Sequence, residues 1–466
     1  MSVRFLGVMA AAVMLASGGC GGGAAPAPDT DVLVIYSAHS DEIRTEFTEA
    51  FQAWYRQRTG RRVEVSWPDP GGGGTQILRR LEDKFHAGRY DVDIVFGGGM
   101  IFEPMKQLGM LEPYRLAEEV LAAIPKEVAG QPLYDPAFHW YGAAISTFGL
   151  IYNKQVIRDR GLPEVKDWLA LGDPAYVGLV GAGDASKSGS VRKIYEIILQ
   201  AYGYEPGMGL LVRMGANARE FFASSSEIPR SCAKGFLAVG PCIDFYAARQ
   251  MRSEGGGGGG GGNLGFLAPP GLTVINSDPI GILKGAPHRA TAERFVEFVM
   301  RPEGQRLWMW PAGSPGGPKK IALERLSVLP HLYEAPEAAG RPNPFLMKAA
   351  AFYDAEKENV RQTVLADYLR VALVENHAAL RKAWQRLIEA GLPADGVAEL
   401  GRPLVSEDEM LRLGREVWMP ILAADNATAD EKARLTRQEE ARRRRKSDLE
   451  TTWSRELRAR YERLAK

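Results

Sequence analysis

Residues 31–51 read DVLVIYSAHSDEIRTEFTEAF, and this stretch decides how the chain folds. Its first six residues are rich in β-branched and aliphatic side chains, the composition of a strand buried in a parallel sheet. Ser37 and Ala38 are small enough to turn the chain. Ser40 stands where a helix cap is needed, and Asp41 and Glu42 follow at the positive end of the helix dipole. Ile43, Phe47, Ala50, Phe51 and Trp54 then recur at helical spacing. Strand, tight turn and helix start leave backbone N–H groups at the carboxyl edge of a sheet, where open α/β sheets hold ligands. Ser37, Ala38, His39 and Ser40 are therefore the first candidate ligand-binding residues, although the same unit also occurs with nothing bound.

Downstream, the spacing predicts a strand over 61–67, a Pro/Gly loop over 68–75 and a helix over 76–85. A third buried strand over 92–96 ends in three glycines and leads to a helix over 100–108. This β-α-β-α-β-α order predicts a right-handed, doubly wound parallel sheet. Gly98 and Gly99 join the candidates because glycine permits positive φ and close approach of a ligand or another backbone. Further on, residues 184–190 read DASKSGS before an amphipathic helix. Ser186, Ser188, Gly189 and Ser190 thus offer hydroxyls, free N–H groups and a positive dipole end to an anion. A serine-capped helix beside a solvated Lys187 is the plain alternative. A strand over 236–243 runs into Asp244, Phe245 and Tyr246, and Asp244 and Tyr246 join the candidate ligand-binding residues. Asp278 either meets an amine or hydroxyl of a ligand or caps the helix that follows.

Upstream, Arg4, an apolar run over 5–16 and the small residues before Cys20 predict a signal peptide over 1–20, too short for a stable transmembrane helix. Cys20 stands where bacterial lipoproteins are acylated, with Ser17 in place of the usual aliphatic residue; cleavage without lipid is the alternative. Residues 21–30 read as a flexible tether. If Cys20 carries lipid, Cys232 and Cys242 remain as an even pair in an oxidising compartment. A Cys232–Cys242 disulfide is expected, with two buried thiols as the alternative.

The 466 residues are 45% apolar and 25% charged, enough for two domains or more, and carry a net charge of only +1. No nucleic-acid partner is expected, and the expected state is a monomer. From residue 331 onward the sequence predicts a helical extension, whose stretch 352–388 is placed on the first lobe. A sustained helical period covers 352–388, a second helix 406–423 and a third, very polar one 428–465. The run Arg442-Arg443-Arg444-Arg445-Lys446 is either an exposed charged face or a contact for anionic lipid.

Four segments in order carry a family resemblance: 36–65 (YSAHSDEIRTEFTEAFQAWYRQRTGRRVEV), the glycine triplet with MIFEPMKQLGMLEP, 141–154 (YGAAISTFGLIYNK) and DPIGILKGAPHRATAERFVEFVMRPEGQRLW. Over roughly residues 31–315 they resemble bacterial extracellular solute-binding proteins of ABC importers, in the branch that includes periplasmic ferric-ion-binding proteins. The resemblance implies a type II clamshell of two doubly wound α/β lobes with a ligand in the cleft. Lobe 1 would comprise 31–142 and 272–330, lobe 2 143–271, with a helical extension over 331–466. It implies crossovers near 143–152 and 269–277, a second-lobe first strand over 173–181 and another strand over 264–268. It also places DASKSGS on the cleft. In iron-binding members two adjacent tyrosines, a histidine and a glutamate ligate Fe(III). Here Tyr246 stands beside Phe245, His39 lies near the histidine position, and glycine takes the glutamate's place at Gly98 or Gly99. Full iron coordination is therefore not implied, and Tyr246 is expected as a hydrogen-bond donor of the cleft. His39 and Tyr246 are the alternative metal ligands.

Motifs of catalysis are missing: there is no GxSxG, GxxxxGK[ST], HExxH or CxxC. The expected function is extracytoplasmic capture of a small, oxyanion-bearing ligand in the cleft of a lipid-anchored protein, and its delivery to the permease of an ABC importer. Ferric iron is the alternative ligand. A cleft hydrolase using His39 as base and a serine from 186–190, or a helical scaffold, are alternatives of other classes.

Overall fold

The computed structural model describes residues 29–254, 262–348, 352–419 and 428–466. The predicted signal peptide, Cys20 and most of the run of glycines lie outside these residues.

The opening stretch folds as its pattern dictates. Strand β1 (Thr30–Ser37) buries Leu33 and Ile35 completely, and helix α1 (Asp41–Thr59) lays Ile43, Phe47 and Phe51 against it. Strand β2 (Arg62–Ser66), helix α2 (Gly74–His86), strand β3 (Ile94–Phe96) and helix α3 (Phe102–Gln107) follow. β2 and β3 flank β1, both parallel to it. The long strand β4 (Tyr141–Asn153) leads to β5 (Val180–Gly183), helices α4 (Gly189–Tyr202) and α5 (Tyr204–Asn217), and β6 (Ala218–Phe222). Then come β7 (Val239–Ile243), α6 (Asp244–Glu254), β8 (Leu264–Leu267) and β9 (Ile275–Leu283), which returns the chain to the first lobe with α7 (Arg289–Met300) and α8 (Pro302–Met309).

The strand order is β2-β1-β3-β9-β4-β7-β5-β6, with β8 added beside β4. Continuity of β4 creates the two lobes. The first half of β4, to Thr147, pairs with β9; its second half, from Phe148, pairs with β7 and β8. Each half packs into its own core. Tyr141 and Ile145 join Phe47, Phe96 and Trp308, whereas Phe148 and Leu150 join Val180, Ile194 and Leu211. The sheet is mixed rather than purely parallel, because β9 runs antiparallel to β3 and β4, and β7 antiparallel to β4. The second lobe's first strand begins only at Val180. Asp173 accepts the Ala175 N–H at 2.8 Å and holds residues 174–176 in a 3-10 turn.

The extension departs from expectation most. Its helices are α9 (Ala355–Leu369), α10 (His377–Glu389), α11 (Ala394–Gly401), α12 (Glu407–Leu413) and the 36-residue α13 (Ala429–Leu464). A π-helical turn, Arg370–Glu375, divides α9 from α10. They pack on the second lobe, not the first. The physical reason lies in α5, which buries Met208, Leu210, Leu211 and Met214 and is apolar too far round for one neighbour to cover. Trp384 of α10 seals the contact: its indole N–H donates to Asn217 at 2.8 Å.

Cys232 and Cys242 are corrected too. Both are free thiols, buried in an apolar cluster with Ile151, Leu237 and Leu264. Burial pushes both thiols well above their ordinary range, the state of inert core cysteines.

Candidate functional site

A cavity of about 530 Å³ opens between the lobes, within the size range of small-ligand sites. Ala38 and His39 after β1, the loop 71–74, Gly98 and Gly99, and Asn276 and Asp278 of β9 line it from the first lobe. Ser186, Lys187, Gly189, Ser190, Phe245 and Tyr246 line it from the second. Of the thirteen predicted ligand residues, Ser37, Ser40, Ser188 and Asp244 are not on this lining. Each has another task, or none in the cavity. The Ser37 hydroxyl donates to Phe96 O at 2.7 Å and accepts the His39 N–H, fixing the turn. Ser40 is the exposed cap residue of α1, but its side chain makes no capping bond. Ser188 caps α4 by accepting the Val191 N–H. Asp244 is half-buried behind the wall and accepts the N–H groups of Thr147 and Phe245 at 2.8 and 2.7 Å.

His39 shows why the glycine triplet is there. A Cβ at Gly97, whose φ is +79°, would lie 2.6 Å from His39 Nε2, so the ring can reach Asp278 only past a glycine. That nitrogen pairs with Asp278 Oδ2 at 3.0 Å. Burial lowers the imidazole pKa, opposed by Asp278, and the ring stays neutral.

The residue that sequence reasoning missed is Arg325. Its Nη1 donates to Asp278 at 2.5 Å, and its guanidinium stacks on Phe245 at 4.0 Å. Burial would raise the Asp278 carboxyl, but Arg325 and then His39 outweigh it and hold the group well below the usual carboxylate range. Two buried side chains pin the strap that carries Arg325. Glu46 of α1 accepts the N–H groups of Lys319, Lys320 and Ile321 at 2.7, 2.7 and 3.1 Å. Gln305 of α8 accepts Ser327 Oγ and Val328 N, both at 2.9 Å, and donates to Ala143 O on β4. The available signal was an arginine inside the apolar run 321–329, IALERLSVL, the place for a buried cation with a partner.

At the opposite side the first turn of α4 presents Gly189 and Ser190, with Lys187, Arg192 and Lys193 around it. Ser190 Oγ lies 2.8 Å from Ser225 Oγ and Ser186 donates to Asp184 at 2.6 Å, so both hydroxyls are already oriented. Lys187 meets Asp184 at 3.4 Å, and Lys193 meets Glu358 at 2.6 Å. The lining carries four cations and the carboxylate of Asp278, with Asp184 and Glu358 paired to Lys187 and Lys193. Ser146 Oγ and Arg325 Nε are buried with no hydrogen-bond partner among the described residues, a cost that a polar ligand removes. Tyr246 is half-buried and its phenol pKa is raised, which keeps it a hydroxyl donor rather than a phenolate.

Two lobes joined by the shared strand β4 around a polar, cationic cavity define a clamshell binding protein. Residues 91–322, just under half of the chain, match the family described as bacterial extracellular solute-binding protein. The phosphoglycerate transport regulatory protein PgtC of Salmonella typhimurium is 24% identical over 282 residues, covering 58% of this chain and 64% of the relative. The chain thus matches less than two thirds of that relative's length. Among solved structures, the periplasmic binding protein AfuA from Actinobacillus pleuropneumoniae, with exogenous fructose-6-phosphate bound, superposes with a TM-score of 0.56 at 18% identity, over 78% of this chain and 99% of that one. Iron-bound HitA from Pseudomonas aeruginosa gives 0.52 at 17%, over 72% and 99%. Both describe the fold. Among the described residues no helix is long and apolar enough to cross a membrane.

Proposed function

We propose that the protein captures a small organic phosphate in the interlobe cavity after export. The observation that carries this reading is the cationic end of the cavity, where the α4 first turn with Gly189 and Ser190 faces the cleft beside Lys187, Arg192 and Lys193. Helix N-termini with hydroxyl and cationic neighbours hold phosphoryl oxygens. The names of two similar proteins, one for phosphoglycerate transport regulation and one with fructose-6-phosphate bound, support the same ligand class. The protein binds rather than converts its solute: His39 is tied to Asp278, and the serines of 186–190 belong to the other lobe. The solute passes to the permease of an ABC importer, from a monomer anchored to the membrane through lipid on Cys20.

Ferric iron is the second reading, favoured by the likeness to iron-bound HitA. The donor set fits it less well. Asp278 is already held by Arg325 and His39, and Tyr246 is disfavoured as a phenolate. Among the described residues no group of three or more His, Cys, Asp or Glu is placed to hold an ion. Isothermal titration with 3-phosphoglycerate, fructose 6-phosphate, inorganic phosphate and ferric citrate tests both readings. We expect an organic phosphate to bind, and Arg325→Met to weaken it by one to two decades, since a charged hydrogen bond is worth about 1.5–3 kcal/mol. Binding of ferric citrate alone would overturn the proposal.

A further inference from the structure

Helix α9 lies outside the residues that match the family, yet Gln362 and Thr363 on it form part of the cavity wall. Its position is set by α4, the helix whose first turn makes the cationic end. Lys193 Nζ meets Glu358 Oε2 at 2.6 Å, and the buried Arg361 grips Glu196 of α4 through Nη2 and Nε at 2.8 and 2.9 Å. Both are ion pairs between the extension and the second lobe, with the Lys193–Glu358 side chains no more than 5% exposed.

Two features of α9 point to a ligand. Gln362 is only 8% exposed, and among the described residues its amide makes no hydrogen bond. With no partner among the described residues and with the cavity beside it, this amide keeps two donors and an acceptor for a solute. Thr363, the next residue, is exposed while still lining the cavity, so its hydroxyl is open to a solute. Because Glu358 offsets the charge of Lys193, α9 offers the cavity neutral hydrogen-bonding groups rather than a second phosphate cradle. An amide beside a hydroxyl suits the alcohol, carbonyl or carboxylate oxygens of a carbon skeleton.

We propose that the C-terminal extension supplies the wall that reads the solute, with Gln362 and Thr363 hydrogen-bonded to the hydroxylated carbon body of an organic phosphate whose phosphoryl group rests on the α4 first turn. The proposal rests on the organic-phosphate reading above and adds what that reading lacks, a basis for telling a phosphate ester from bare phosphate. Selectivity of this kind comes from groups left unpaired when the smaller ligand binds.

The test is calorimetric titration of full-length wild type, Gln362→Leu and Thr363→Val with 3-phosphoglycerate, sn-glycerol 3-phosphate, fructose 6-phosphate and inorganic phosphate. Gln385→Ala, on the exposed face of α10, serves as control. Each variant should bind the best ester about three- to tenfold more weakly, and the preference for ester over inorganic phosphate should shrink by a similar factor. The melting midpoint of each ligand-free variant reports whether it folds. Should Gln362→Leu unfold, Thr363→Val, at an exposed position, decides alone. Wild-type ester affinity in a folded Thr363→Val and a folded Gln362→Leu overturns the wall assignment while leaving the organic-phosphate reading in place. If wild type binds none of the four probes, both fall together.

Discussion

Asp244 is the carboxyl whose partial burial has the clearest consequence for the whole protein. It opens α6 in the second lobe, yet one oxygen accepts the N–H of Thr147, the last β4 residue paired with the first-lobe strand β9. Burial pushes its pKa up from 3.8 to about 7, against the two N–H groups it accepts. The folded protein therefore holds a proton between about pH 4 and 7 that the unfolded chain has lost, so stability falls as pH rises through that window. Asp278 works in the other direction and elsewhere. Its depressed pKa contributes stability above pH 4 that is lost only as pH falls below the ordinary carboxylate range. The two groups can thus be told apart by pH. In urea denaturation Asp244→Asn should give a profile flatter than wild type between pH 4 and 7, a difference on the order of a few kcal/mol across the window. Parallel profiles for the two proteins would refute this account of Asp244.

Among the elements, α9 with α4 forms the contact that joins the extension to the binding lobe. Its centre is ionic: Arg361 and Glu196 are both fully buried, and Glu407 of α12 takes the remaining guanidinium nitrogen. Charges in such a place stabilise little relative to apolar residues of the same shape, but losing one partner strands the other. Arg361→Met alone should cost about 3–5 kcal/mol of unfolding free energy. The double variant Arg361→Met, Glu196→Leu should recover most of that loss, because Glu407 is partly exposed and can return to water. Equilibrium urea unfolding measures both. A double variant no more stable than the single one would mean that packing, not the stranded carboxylate, governs this interface.

For the molecule as a whole, the long strand β4, shared by both lobes, and the start of β9 form the hinge. β4 changes partners between Thr147 and Phe148, and β9 crosses back at Ile275. Hinges of this kind absorb closure in a few residues at the ends of elements. The extension rides on the second lobe, so closure should carry it along and bring α9 with its Gln362 and Thr363 towards the first lobe. Small-angle scattering with a saturating organic phosphate should show a smaller radius of gyration than the ligand-free protein. An unchanged radius at saturation would exclude hinge closure on binding.

Local pattern was enough for much of this architecture. The stretch 31–51 alone yields strand, turn and helix, because burial of Leu33, Ile35, Phe47 and Phe51 on one side is written into periods of two and 3.6 residues. His39, Gly98, Gly99, Ser186, Gly189, Ser190 and Tyr246 line the cavity for the same reason: they sit at strand ends and helix starts, which topology gathers at the cleft, whereas Asp278 reaches it from an irregularity within β9. Long-range partners were not legible. Nothing near Arg325 in the chain announces Asp278, 47 residues away, or the grip of Gln305 and Glu46 on its strap. Ser37 and Asp244 were legible as polar residues at the right edge. Whether their side chains turn to the cavity or to the backbone depends on which N–H and C=O groups the fold leaves unpaired beside them. The side on which the extension docks was likewise beyond local pattern. Amphipathic helices record that they bury a face, while the choice of surface depends on which lobe still has apolar area to cover, here that of α5.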